Sequence, residues 1–242
     1  MYDSQMYQRA ILSPFLQFCP NDVIEREIRD GYAKKVRSII VEPYQAPLLK
    51  RIEKECANGI TRTGMTIGYP FGGLSTETKV ALTQYALEQQ LDEVDIGINI
   101  NAILSNDWDR AHDELEKVLR AADGKMNVIP VSWVIKVPLE TLDKICQMYI
   151  ELGIKTVKTN PGLHFGDMKV EHVKYINDHY GDKLEIEVAG RCRTREKAEA
   201  MTAEGAKYFH MSQWRRICGE GFDYQFDYVT KNGGYTEYKD RL

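Results

Sequence analysis

No apolar run approaches the ~18 residues needed to cross a membrane, so the chain is not expected to span one. The first ten residues, MYDSQMYQRA, lack the basic-then-apolar order of a secretory signal. Cysteine is scarce and scattered: Cys19, Cys56, Cys146, Cys192 and Cys218 form no Cys-x-x-Cys pair. That argues against a disulfide framework and fits thiols in a reducing, cytoplasmic compartment. None of the five histidines shows His-x-x-x-His or His-Glu-x-x-His spacing, so no metal motif is present. Positive charge is not in excess either. A formal charge of -4 and a pI near 5.8 remove the electrostatic case for nucleic acid or an anionic membrane, while leaving room for a small anionic substrate. With no linker, low-complexity tract or composition break, the 242 residues read as one domain large enough for a sizeable core.

What is present is an alternation. Short β-branched runs at 9–16, 36–43, 62–70, 92–100, 128–137, 155–160, 184–190 and 207–212 are separated by longer amphipathic segments. Asn21 is expected to cap the first of the long helices, and Ser75 with Thr78 to open the one after the third strand. Strands separated by helices imply parallel pairing, because a parallel crossover needs a dozen or more residues. Eight such units favour a closed (β/α)8 barrel over an open doubly wound sheet. Periodicity alone leaves the sheet open, but no Gly-x-Gly-x-x-Gly follows the first strand, and GYPFGG after the third is not a nucleotide-binding loop. The barrel is expected to occupy residues 1–214, with 215–242 forming a final helix and arm of the same domain.

Four strands carry charge near their C-terminal ends, where barrel enzymes place their chemistry: Asp95, Lys136, Lys158 and Glu187. Charges on buried strands are costly unless paired. A solvated lysine, or a purely structural ionic layer, is the competing account of these four.

The order of the motifs adds to that reading. TIGYPFGGLSTETKVALTQYALEQQLDEVDIGINI, VIKVPLET, YIELGIKTVKTNPG and EVAGRCRTREKAEAMTAEGA together resemble the deoxyribose-phosphate aldolases, class I aldolases on a (β/α)8 barrel, over roughly Val36 to Ser212. The resemblance implies that Lys158 is the Schiff-base lysine, Asp95 a member of the proton relay and Lys136 the lysine beside the Schiff base. It implies neither metal nor organic cofactor. Glu187 stands where the family has a second active-site lysine. A carboxylate there favours the charged form of a neighbouring amine, so Glu187 is expected either to act as the acid/base itself or to mark a changed reaction.

The phosphate-binding stretches also differ, which makes the chain similar to a divergent member. Gly190-Arg191 and His210-Met211-Ser212-Gln213 stand in those places, and Glu42 precedes the proline after the second strand. Arg191 suits a two-pronged contact with phosphate or carboxylate. His210 and Gln213 suit sugar hydroxyls, and Glu42 suits a hydroxyl or an ion pair with Arg191. Gly162, Gly190 and Ser212 complete the expected substrate-binding set. Arg215 and Arg216 read as a solvated helix start, with an anion-binding role as the alternative. The expected function is Schiff-base cleavage or formation of a C–C bond in a phosphorylated sugar or keto-sugar. A transfer or diketone-phosphate cleavage on the same scaffold is the alternative, as is a catalytically altered sugar-binding barrel. A homodimer is the expected assembly.

Overall fold

In the sequence Glu93-Val94-Asp95-Ile96-Gly97 every residue is buried, yet the two faces have opposite chemistry. A strand turns successive side chains to opposite sides. Val94 and Ile96 therefore join the apolar layer beneath the helices, while Glu93 and Asp95 point the other way, into the barrel. Val157 against Lys158, and Ile186 and Val188 against Glu187, repeat the pattern.

The computed structural model describes residues 4–14, 19–162 and 166–220. The strands are β1 (Ala10–Leu12), β2 (Ser38–Val41), β3 (Arg62–Ile67), β4 (Glu93–Gly97), β5 (Asn127–Val131), β6 (Thr156–Lys158), β7 (Glu185–Val188) and β8 (Ala206–Met211). Each pairs in parallel with its sequence neighbours, and β8 closes on β1, giving the expected (β/α)8 barrel. The helices are α1 (Ser4–Tyr7), α2 (Asn21–Lys34), α3 (Ala46–Cys56), α4 (Thr76–Glu88), α5 (Ile100–Leu104), α6 (Trp108–Ala122), α7 (Leu139–Glu151), α8 (Val170–Tyr180), α9 (Arg195–Ala203) and α10 (Trp214–Ile217). None of them is long and apolar enough to cross a membrane. The five cysteines are free thiols.

The helix boundaries follow local chemistry. Ser75 accepts a hydrogen bond from the Thr78 N–H at 3.3 Å and opens α4 as expected. Asp107 does the same for α6 through the Arg110 N–H. Ala111, Leu115, Val118 and Ala122, spaced by four, three and four, bury one face of α6, each large aliphatic contributing about 1.5–3 kcal/mol. Asn21 is not the cap of α2. Pro20 holds that position with extended backbone, and Asn21 is the first helical residue.

The largest departure is at β5, expected to run to Val137. It stops at Val131, and Trp133 takes a left-handed φ of 55°, which no strand continues through. The Val134 N–H then bonds the Thr159 carbonyl, and Val134–Lys136 form a 3-10 turn. Lys136 is therefore off the strand and exposed. Arg215, expected at a solvated helix start, is buried on α10, bonded to Glu27 at 2.8 Å and to Asp30 at 2.5 Å. Arg216 is exposed as expected. The expected C-terminal arm lies, beyond residue 220, outside the described residues.

Candidate active site

Asp95 on β4, Lys158 on β6, Glu187 on β7 and His210 on β8 meet inside the barrel. Lys158 Nζ donates to Asp95 Oδ2 at 2.5 Å. It lies 2.8 Å from His210 Nδ1 and 3.6 Å from Glu187 Oε1. His210 Nδ1 is in turn 2.9 Å from Glu187 Oε1 and 3.2 Å from Asp95 Oδ2. A contact from β4 to β6 skips β5, so it runs through the interior. None of the four side chains is more than 5% exposed. Three of the four expected catalytic residues are thus brought together, and Lys136 is left outside on its exposed turn.

His210 was expected to meet a substrate hydroxyl, but its surroundings differ from that reading. Its Nδ1 faces the charged cluster and its Nε2 bonds Ser13 Oγ, so both ring nitrogens are engaged by protein. Ser13, fully buried just after β1, was not singled out in the sequence. The only signal was parity, since Ser13 lies two residues past Ile11, which pairs with His210 across the β1–β8 seam.

The electrostatics follow from burial. Removal from water raises the carboxyl pKa values of Asp95 and Glu187, and the Lys158 cation pulls both back. Glu187 also raises Asp95, as a like charge must. Burial pushes His210 down to about 3, with Lys158 adding to the effect and Asp95 opposing it. Asp95 Oδ1 has no hydrogen-bond partner among the described residues.

One layer deeper lies Glu93, two residues before Asp95 on the same face. It sits 3.6 Å from Arg37 and 3.5 Å from Arg62. Burial pushes Glu93 up to about 7 against the pull of these cations. Arg37 stacks over the Tyr208 ring and also lowers Glu187, so the floor presents positive charge to the cluster above.

The remaining expected binding residues lie in the segments that follow β2, β6, β7 and β8. Glu42 is half-buried, its pKa raised by burial, and close enough to Tyr69 to raise the phenol after burial has done so. Its backbone N–H bonds Gln45 Oε1. Gly162 has φ 92°, and Tyr69 Oη lies 3.9 Å from where a Cβ would stand. Gly190, φ 105°, packs over Asn160, whose Oδ1 receives the Ile135 N–H. Arg191 adopts a left-handed φ of 54° and contacts Asp167 at 3.4 Å. Its cation is thus partly answered by protein. Ser212 and Gln213 are half-buried before α10, and Gln213 Oε1 has no hydrogen-bond partner among the described residues.

Asp95, Glu187 and His210 offer ligand atoms within 4.8 Å of one another, a set that could hold a metal ion. No sequence spacing announces it, because the three lie on three strands. The Lys158 ammonium stands among those donors, so the positive charge they collect is its own.

No family model matches the chain. It is 35% identical over 155 residues to the deoxyribose-phosphate aldolase of Clostridium novyi (strain NT), covering 64% of this chain and 70% of that one. Against the enzyme of the same name from Staphylococcus epidermidis (strain ATCC 35984) the figures are 32% over 209 residues, 85% and 91%. Among solved structures, the tetrameric deoxyribose phosphate aldolase from Aeropyrum pernix superposes with a TM-score of 0.81 at 15% identity, over 90% of this chain and 91% of that one.

Proposed function

The chain belongs to the deoxyribose-phosphate aldolase family, and from that premise we propose that it uses Lys158 to cleave or form a C–C bond in a small sugar phosphate through a Schiff base. The observation that carries the reading is the position of Lys158. It is an amine 4% exposed, inside a barrel, with two carboxylates and an imidazole around its nitrogen.

The chemistry follows from what an amine in that place can do. A neutral Lys158 attacks a carbonyl and, after loss of water, leaves a protonated imine. That imine accepts the electron pair released when the adjacent C–C bond breaks. Retro-aldol cleavage requires a base for the substrate's β-hydroxyl. Asp95, the group bonded to Lys158, and Glu187, beside it, are the carboxylates in reach. Their raised pKa values suit groups that both take and return a proton. The enamine left on Lys158 is then protonated and hydrolysed.

The anionic end of the substrate is assigned to the rim formed by Gly190, Arg191, Ser212 and Gln213. Because Asp167 already answers part of the Arg191 charge, this rim supports a substrate whose polar groups extend beyond a single phosphate. Glu42 and Tyr69, which follow β2 and β3, suit sugar hydroxyls.

Incubation with 2-deoxyribose 5-phosphate and with a set of keto-sugar phosphates tests the reading. Acetaldehyde released from the first identifies the family's own substrate. A larger ketone from one of the others, without acetaldehyde, identifies a changed one. No cleavage and no condensation with any of them contradicts the proposal.

A further inference from the structure

His210 Nδ1 presents a problem of proton accounting. It lies within hydrogen-bond distance of a donor, the Lys158 ammonium at 2.8 Å, and of an acceptor, Glu187 Oε1 at 2.9 Å. A ring nitrogen either carries a hydrogen or offers a lone pair, and cannot serve both partners at once. It can serve them in turn. With a lone pair it receives the hydrogen bond from Lys158, and once it has taken the proton it donates to Glu187. While Nδ1 offers its lone pair the neutral ring carries its hydrogen on Nε2, which donates to Ser13 Oγ, and that bond persists when Nδ1 gains the proton.

From this geometry we infer that His210 carries the proton that Lys158 must lose, with Glu187 stabilising the resulting imidazolium and Ser13 fixing the ring. The assignment rests on the Schiff-base reading of Lys158 and deepens it.

The steps balance. Nδ1 takes one of the three ammonium protons, and the N–H electron pair stays on Nζ. The pair attacks the substrate carbonyl carbon as the π pair moves to oxygen. A second Nζ proton passes to that oxygen, giving a neutral carbinolamine. Its hydroxyl then leaves as water with the proton held by His210, and the nitrogen lone pair closes the C=N bond. Two protons leave in the water and one stays on the iminium nitrogen, so the positive charge is conserved. The departing oxygen is two bonds from Nζ and so lies within the same cluster.

The groups facing the ring agree with this role. They are Lys158 from β6, Asp95 from β4, Glu187 from β7 and Ser13 beyond β1, with Arg37 acting on Glu187 from below. Burial and the Lys158 charge together depress the basicity of His210. Transfer removes the second of these causes and leaves the two carboxylates, so the imidazolium gains stability as it forms. A carboxylate at 187 serves a histidine carrier, whereas a cation there would oppose it.

The test is the rate at which borohydride-trappable imine forms on Lys158 across pH. His210→Asn is expected to slow it by ~10²-fold or more and to remove an ionisation from the profile, with added imidazole restoring part of the rate to His210→Ala. Glu187→Gln added to His210→Asn should cost little further, since both act on one proton. Ser13→Ala should slow formation several-fold, with Ser13→Thr recovering it. Trapping at the wild-type rate and with the wild-type profile in His210→Asn overturns the inference and leaves the Lys158 reading standing. Absence of any adduct in the wild-type protein overturns both. Should the His210 variants not fold, histidine nitrogen NMR of the wild-type protein decides by the tautomer of the ring. The inference expects Nδ1 of His210 to be the unprotonated ring nitrogen beside Lys158 in the wild type and to keep its place on the Ser13 side through Nε2–H, and a neutral ring protonated at Nδ1 contradicts it.

Discussion

Two lysines are buried among the described residues, and the difference between them bears on the proposal that Lys158 is the reactive amine. Lys79 on α4 is fully buried, 2.5 Å from Glu114 on α6 and 2.8 Å from the Gly97 carbonyl at the end of β4. Burial lowers its pKa against the pull of Glu114. Yet it is matched one to one, ammonium to carboxylate, and it pins two helices to a strand end. Lys158 is equally sheltered but faces two carboxylates and an imidazole inside the barrel. What distinguishes Lys158 is the His210 imidazole 2.8 Å from its nitrogen, the group proposed to take its proton.

Substitutions at the two lysines should therefore fail in opposite ways. Lys158→Met is expected to abolish condensation with carbonyl compounds and to lower turnover by ~10⁴-fold or more, with the fold intact by circular dichroism. Lys79→Met should do the reverse. Leaving Glu114 buried without its partner should cost ~3–5 kcal/mol in urea unfolding, while imine formation per folded molecule is retained. Replacing both, as Lys79→Met with Glu114→Leu, should recover most of that loss. A Lys79 variant that folds but no longer condenses breaks the contrast.

Smaller effects sharpen it. Glu187→Gln should lower turnover by ~10²-fold, read as kcat, because a group that moves protons is removed while the cavity keeps its shape. Glu93, in the floor below, separates structural from chemical burial. Its folded-state pKa of about 7 stands above the 4.5 of an unburied glutamate. Between those values the folded protein holds a proton that the unfolded chain has lost, so its contribution to stability falls as pH rises. The stability of Glu93→Gln relative to the wild type should accordingly improve between about pH 5 and about pH 7.5 in paired urea titrations. Lys136→Ala should change turnover by less than about twofold, as expected for an exposed side chain away from the cluster.

The residues that were legible in advance are those whose position depends only on strand parity. Asp95, Lys158 and Glu187 each interrupt an apolar run on its inward face, and the motif order assigns each to its strand. Lys136 also sits in an apolar run, but the left-handed backbone at Trp133 ends β5 before reaching it. Nothing in the letters around Trp133 signals that turn. The Ser13–His210 bond joins residues 197 apart and exists only because β8 closes on β1. Arg215 looked like a surface cation because its partners, Glu27 and Asp30, lie on the distant α2. Closure of the barrel, more than local sequence, decides those contacts.

The most direct test is to reduce the protein with borohydride in the presence of a carbonyl substrate and to locate the added mass by peptide mapping. The account requires a single adduct on the peptide carrying Lys158, with Lys79 unmodified. Modification elsewhere with Lys158 untouched would contradict it.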